Sequence, residues 1–503
     1  MSVLPGGLRV CVEAVPQYGR GLAALALTVA AGGDDDPAGR HGTAHLVEHL
    51  MFPRSGGGSA DPTGEGYAAL VAGAGGVCNA ETHRDHTVFH TTVPAESLPE
   101  ALVWEARRLL GFAPTEDVIR TETDIIGEEI RGAGDAGRSW ESALGALYPG
   151  SRDSFGTAAE LAGITAGEVE AFFRAHYTAR RMVLSVVGDV DPAGVMSVVR
   201  EVFAGVGVIR VVGEAGTAEG IRVAGELRSA EEIRAAGEAR SAEEIRAASE
   251  PRAAEKIRAA GEPRAAEKIQ AAGEPRTAKE IRTAKEIRTT PLPAARPGVA
   301  VGHPLPDPVA DRPAYLAQAV LAQVLGRSRL PALARSARDG HRLTSATVTC
   351  GYHGQWLASA APDLTLAVLG RAPGTEVDVA VGIWRSVLRA VAEGPLPEAE
   401  HRRAVNSLLV AWHRQADSLP TRAVALGRDA LLLPGSAGPD ALPAELHRTT
   451  PAEVAAAARA LLEGPVTVTE LAPQAGTVPT AQAGTVQPAR ADTELAPQKG
   501  TVG

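Results

Sequence analysis

From about Val223 onward a twelve-residue unit recurs with little drift: AGELRSAEEIRA, AGEARSAEEIRA, ASEPRAAEKIRA, AGEPRAAEKIQA, AGEPRTAKEIRT and a shorter echo, AKEIRT. Each unit offers one isoleucine as its main large aliphatic side chain. Its AEEIR part favours a turn of helix that GEPR then breaks, so stacking the copies buries almost nothing. The array therefore cannot supply a core, and it divides the chain. Residues 206–292 read as a flexible, partly helical dodecapeptide-repeat linker. A second duplication, ELAPQAGTV and ELAPQKGTV, marks residues 470–503 as a disordered tail. Two bodies remain, 1–205 and 293–469, each long enough to bury a core of its own.

Both bodies mix short strands with longer helical connections. In the first, GLRVCVEAVP and GLAALALTVA read as strands, residues 42–52 as a helix, and 77–93 as containing an alternating strand. Residues 97–110 and 117–130 read as helices, MVLSVVGDV as a strand, and 192–203 as a helix. The second body repeats the mixture, with helices near 315–325 and 397–416 and strands near 345–350 and 364–369. The expected class is α+β: two related domains, each a mostly antiparallel sheet with helices packed on it.

The formal net charge of -10 over 503 residues argues against a nucleic-acid partner, which calls for clustered cations. Three cysteines, Cys11, Cys78 and Cys350, are too few and scattered for a disulfide framework or a four-thiolate zinc site. The start MSVLPGGLRV lacks the pattern of an export signal, and no apolar run is long enough to span a bilayer. A cytoplasmic location and no membrane partner are expected.

The segment HGTAHLVEHLMF carries the chemistry. At 100° per residue His45, Glu48 and His49 share one arc of a helix, while Leu46, Val47, Leu50 and Met51 occupy the others. Two imidazoles one turn apart can grip one zinc ion, and the carboxylate between them can take a proton from attacking water. This is the H-x-x-E-H pattern of inverted zinc peptidases. A third ligand is available in TETDIIGEEIRG: Glu122 and Glu129, two helical turns apart, share a face. Glu129 is the choice for the metal and Glu122 for a partner that orients a ligand. Glu128 points away and reads as solvated.

The sequence resembles the pitrilysin/insulinase-like zinc peptidases, which include the mitochondrial processing peptidase and bacterial relatives. The resemblance rests on GTAHLVEHLMF, GGVCNAETHRDHTVF, ETDIIGEEI and FFRAHYTARRMVLSVVGDVD, in that order. It implies two related domains that form half of a clamshell, and one Zn²⁺ per chain held by His45, His49 and Glu129. It further implies Glu48 as general base of an endopeptidase acting on peptides or unfolded segments.

GGVCNAETHRDHTVF has its own physical reading, a strand entered by a glycine turn whose edge can accept an extended peptide. By resemblance Asn79 and Ala80 contact the substrate backbone. A second metal at His83, His86 and His90 is not expected, nor is a nucleophilic role for Cys78. The second body lacks H-x-x-E-H and reads as a catalytically empty copy. In the family it adds an Arg and, seven residues on, a Tyr that bind the substrate carbonyl. Here Arg335 is kept, but Arg342 stands where the Tyr is expected. Either Arg342 substitutes, or a partner subunit in a homo- or heterodimer supplies the pair. The alternative function is a non-catalytic scaffold or peptide-binding subunit of a peptidase-like complex.

Overall fold

A computed structural model describes residues 1–52, 66–132, 135–206, 285–335 and 342–473. Most of the repeat array and the tail beyond 473 lie outside the described residues. The first half holds a six-stranded sheet: β1 (Ser2–Val3), β2 (Arg9–Ala14), β3 (Leu22–Val29), β4 (Val77–Thr82), β5 (Thr87–Pro94) and β6 (Met182–Gly188), in the order β1-β2-β6-β3-β5-β4. The second holds β7 (Glu286–Arg288), β8 (Leu292–Ala294), β9 (Gly298–Pro304), β10 (Leu343–Cys350), β11 (Leu364–Arg371) and β12 (Val466–Pro473), in the order β10-β11-β9-β12-β7 with β8 also on β12.

The two sheets repeat one plan. In each, three consecutive pairings running to one edge are antiparallel, β6-β3-β5-β4 and β12-β9-β11-β10, and the first long strand or its counterpart joins the last in parallel, β2 with β6 and β7 and β8 with β12. The expected mostly antiparallel α+β halves are what the chain forms.

That plan corrects both linker boundaries. Residues 286–288 and 292, assigned above to the flexible linker, are strand, because β12 needs the parallel neighbour that β6 finds in β2. Glu286, Ile287 and Arg288 pair with Val466, Thr467 and Val468. Arg385 then reaches Glu286 at 2.6 Å. Val206 likewise is buried in the first core rather than free. At the other end residues 470–473, assigned to the tail, complete β12. The range 77–93, expected to contain one alternating strand, contains two: His83–His86 turn the chain between β4 and β5, with His83 N–H donating to His86 O at 2.8 Å.

Helices α1 (Thr43–Leu50), α2 (Leu98–Leu110) and α3 (Glu116–Gly132) lie with the first half. The next, α4 (Asp135–Leu147), crosses to the second sheet: Trp140, Ala143, Leu144 and Leu147 pack with Ala300, Leu364, Leu366 and Leu471. The exchange is reciprocal. Helix α5 (Leu419–Leu432), from the second half, lays Ala423 and Val424 on Ala24, Ala26, Val88 and Val187 of the first sheet. Each fully buried side chain of Val or Leu size contributes roughly 1.5–3 kcal/mol, so each sheet face gains stability from the helix laid on it.

The approach of α5 is set by Gly427, where a Cβ would come within 2.3 Å of Thr28 Oγ1 and 3.2 Å of Thr28 Cβ. Thr28 is fully buried inside a paired strand, so its side chain has little room to give way. Gly427→Ala gains about 1 kcal/mol of helix propensity and loses about 1–3 kcal/mol to overpacking. Chemical denaturation should show a net loss of stability; a gain would mean that α5 is not seated by this contact.

A network of buried polar groups closes the joint between the halves. From α5, Arg428 donates to Glu81 at 2.9 Å, to His83 Nε2 at 2.7 Å and to His86 Nε2 at 2.9 Å. Asp85 accepts from the backbone N–H of Ala360 and Ala361. The rings of His83 and His86 stack at 4.4 Å, and burial pulls the His83 pKa down to about 3. These histidines are therefore joint residues. No helix among the described residues is long and apolar enough to cross a membrane.

Candidate metal centre

Eight residues make a marginal helix in water, so α1 depends on its surroundings. Its first N–H groups are satisfied by Asp36, which accepts from Gly42 N and Ala44 N, both at 2.7 Å. Gly42 has φ of 101°, and a Cβ there would meet Leu161 and the Phe155 carbonyl below 3 Å, so only glycine starts the helix here. Ala44, Leu46, Val47 and Leu50 enter the core, which leaves His45, Glu48 and His49 on the remaining face.

Helix α3 crosses that face. Ile119 and Ile126 anchor it in the core, and its two-turn spacing brings both Glu122 and Glu129 to the histidines. Glu122 Oε2 lies 3.0 Å from His49 Nδ1. Glu129 Oε2 lies 3.7 Å from His45 Nε2 and 3.6 Å from His49 Nε2. Those two separations are too long for hydrogen bonds. They are close to the ~3.4 Å between neighbouring ligand atoms when ~2.0–2.1 Å bonds point to the corners of a tetrahedron. Among the described residues, His45, His49 and Glu129 are the group of His, Cys, Asp and Glu side chains compact enough to hold a metal ion. Glu128 is turned to solvent and pairs with Arg131.

The two imidazoles differ in how readily they give up a proton to a metal. Burial, with the neighbouring His49 second, pulls His45 down to about 3, so its ring is neutral. Burial also opposes charge on His49, but the hydrogen bond to Glu122 and the nearby carboxylates hold its pKa above the usual value. With Nδ1–H donated to Glu122, Nε2 is the atom free to bind a cation in place of a proton. The donor set fits zinc: two imidazoles, one carboxylate, and the fourth position left open as in catalytic sites.

Glu48, on the same helix as the two histidines, is tied to the sheet. Thr82, the last residue of β4, donates its hydroxyl to Glu48 Oε2. Burial raises the Glu48 pKa to about 7, against the lowering effect of that bond. Thr82 is a residue of this site that the sequence reading did not single out. Ser154 donates to the Thr82 carbonyl at 2.9 Å, which fixes the end of β4.

Strand β4 is the outermost strand of its sheet, with Asn79 and Ala80 on it. Arg335 ends a helix in the second half, and residues 336–341 lie outside the described residues. Arg342 precedes β10 and is exposed. Tyr352 is buried at the joint, its hydroxyl 2.7 Å from Ser154 Oγ and its ring beside His83 and Trp140. It does not take the place of the missing tyrosine.

The profile of Insulinase (Peptidase family M16) matches residues 16–123, and that of the Peptidase M16 inactive domain matches residues 163–226. A protein of Mycobacterium bovis named as an uncharacterized zinc protease is 31% identical over 207 residues, 40% of this chain and 46% of the relative. The probable mitochondrial-processing peptidase subunit beta of Arabidopsis thaliana is 28% identical over 210 residues, 40% of this chain and 38% of the relative. The matched region thus spans less than half the length of these curated relatives. In fold the chain is similar to a protease from Helicobacter pylori, with a TM-score of 0.69 at 15% identity over 93% of this chain and 98% of that one. It is also similar to the first half of the periplasmic protease PqqL from Escherichia coli, with a TM-score of 0.62 at 16% identity over 93% and 91%.

One prediction belongs to this geometry. Glu122→Gln keeps the size of the side chain but weakens the bond that orients His49, and zinc affinity should fall about 10- to 100-fold. Competition with a chelating dye measures it; unchanged affinity would remove Glu122 from the site.

Proposed function

Because the chain belongs to the insulinase-like peptidase family M16, we propose that it is a zinc-dependent endopeptidase acting on peptides or unfolded segments. His45, His49 and Glu129 would hold one Zn²⁺ per chain. The reading is carried by the convergence of these three side chains, from two distant helices, beside a buried glutamate anchored to an edge strand.

Bound zinc supplies Lewis acidity, lowering the pKa of water toward ~7 and polarising a carbonyl. Glu48 takes the proton as water attacks the scissile carbonyl and gives it to the departing amine, so the peptide bond is exchanged for a carboxylate and an amine. A pKa near neutrality suits a group that must do both. Asn79 and Ala80, on the open edge of β4, would align the peptide as an added strand through backbone hydrogen bonds. Arg335 would assist at the substrate carbonyl, with its missing tyrosine companion supplied by a related subunit in a homo- or heterodimer.

Arg342 in the tyrosine position favours a second reading, a non-catalytic peptide-binding subunit. Metal analysis of the purified chain, with cleavage of a fluorescently labelled unfolded casein, separates the two. About one zinc per chain and chelator-sensitive cleavage support the enzyme. A chain that takes up no zinc supports the scaffold.

A further inference from the structure

Behind the metal-bearing helix lies a buried chain of charged groups that neither ligation nor proton transfer uses. His41, 1% exposed, sits one helical turn before His45. Its Nδ1 is 3.0 Å from Asp36 Oδ2 and its Nε2 is 3.3 Å from Asp153 Oδ1. Both partners also accept backbone N–H groups, Asp36 from Gly42 and Ala44, and Asp153 from Phe155. A neutral imidazole owns a single N–H and could serve only one of two carboxylates. Contact with both calls for the doubly protonated, cationic ring. Burial opposes that charge, but the hydrogen bonds to Asp153 and Asp36 outweigh it and raise the pKa to about 9.

The chain continues past Asp153. Glu141 hydrogen-bonds to it, and burial together with the Asp153 charge pushes Glu141 up to about 7. Glu141 stands on α4, the helix that docks on the second sheet. The segment carrying Asp153 also touches the metal site. Phe155 lies edge-on to the His45 ring at 5.3 Å, and Gly156 passes so near the His41 carbonyl that a Cβ would come within 2.4 Å of it.

We propose that His41 is a positioning residue of the metal centre: clasped between Asp36 and Asp153, it fixes the start and direction of α1 and ties that helix to α4 on the second half. It touches no ligand atom and acts through the helix that carries His45 and His49. The inference rests on the zinc reading above.

Zinc affinity of the full chain, measured with zinc alone against a chelating dye, is the test. His41→Gln keeps an amide donor but no charge, and should bind zinc about tenfold or more weakly. Glu141→Gln still donates to Asp153 and should stay within about threefold of the parent. Cobalt(II) in place of zinc reports ligand geometry by visible absorption; its bands should shift in His41→Gln and not in Glu141→Gln. Near-UV circular dichroism of the metal-free variants establishes folding, and Asp153→Asn, with the same expected loss as His41→Gln, decides if the latter does not fold. Parental affinity and an unshifted cobalt spectrum in His41→Gln overturn the proposal. Equal losses in His41→Gln and Glu141→Gln also overturn it, since packing alone would then explain them. A parent chain that binds no zinc overturns the proposed function instead.

Discussion

Glu48→Gln should leave the zinc content at about one per chain and lower kcat by about 10²- to 10⁴-fold. Glutamine has the same shape, and its carbonyl can still accept the Thr82 hydroxyl, so the helix face and the strand end keep their positions. What is lost is the capacity to take a proton. The three side chains that would hold zinc are untouched, and KM for the peptide, set along β4, should change little. Metal analysis with steady-state kinetics on one preparation checks both halves. Full turnover in the variant would mean that another base serves; loss of zinc would mean that Glu48 had been assigned the wrong part.

Much of this site was legible before any coordinates because helical periodicity is short-range. His45, Glu48 and His49 must share a face wherever that helix lies, and so must Glu122 and Glu129. The order of strands and helices was readable for the same reason. Contacts made between distant segments were not. Nothing near Thr82 announces that its hydroxyl meets Glu48, and the partners of Arg428 lie more than 340 residues earlier in the chain. The array misled at one end because its last copy, AKEIRT, is identical in character to its neighbours, yet its Glu286–Arg288 lies beside β12 and is drawn into the sheet. Composition describes what a segment can bury by itself, not what a neighbouring edge will do with it. The turn at His83–His86 was missed because it contains no Gly, Pro or Asn, and its single turn-favouring residue, Asp85, is flanked by histidines and arginine that break no alternation. Those histidines are held instead by Arg428 and Asp85, from beyond the hairpin and within it.

The largest expected effect on stability lies at Arg108. Its side chain is 4% exposed, and it donates to both oxygens of the fully buried Glu105 at 2.7 and 2.6 Å. Its guanidinium also lies over three aromatic rings, Tyr67 at 4.1 Å and Phe52 and Phe89 at 4.7 Å. Tyr67 in turn donates to Glu105 at 3.0 Å. Burial works against the charge on Arg108, but the neighbouring Glu105 carboxylate holds its pKa above the usual value. Arg108→Met removes the cation and leaves the carboxylate buried without its partner, at a cost of about 3–5 kcal/mol. Arg108→Met combined with Glu105→Leu removes both charges. A buried ion pair gains little net over an apolar pair of similar volume, so the double variant should recover most of that loss. Denaturant unfolding of the metal-free chain measures all three proteins. A single variant within about 1 kcal/mol of the parent would show that the pair is not desolvated as placed. Phe52 follows the metal-bearing helix by two residues, so a double variant with restored stability and weakened zinc binding would show that the guanidinium also holds the end of α1 against the sheet.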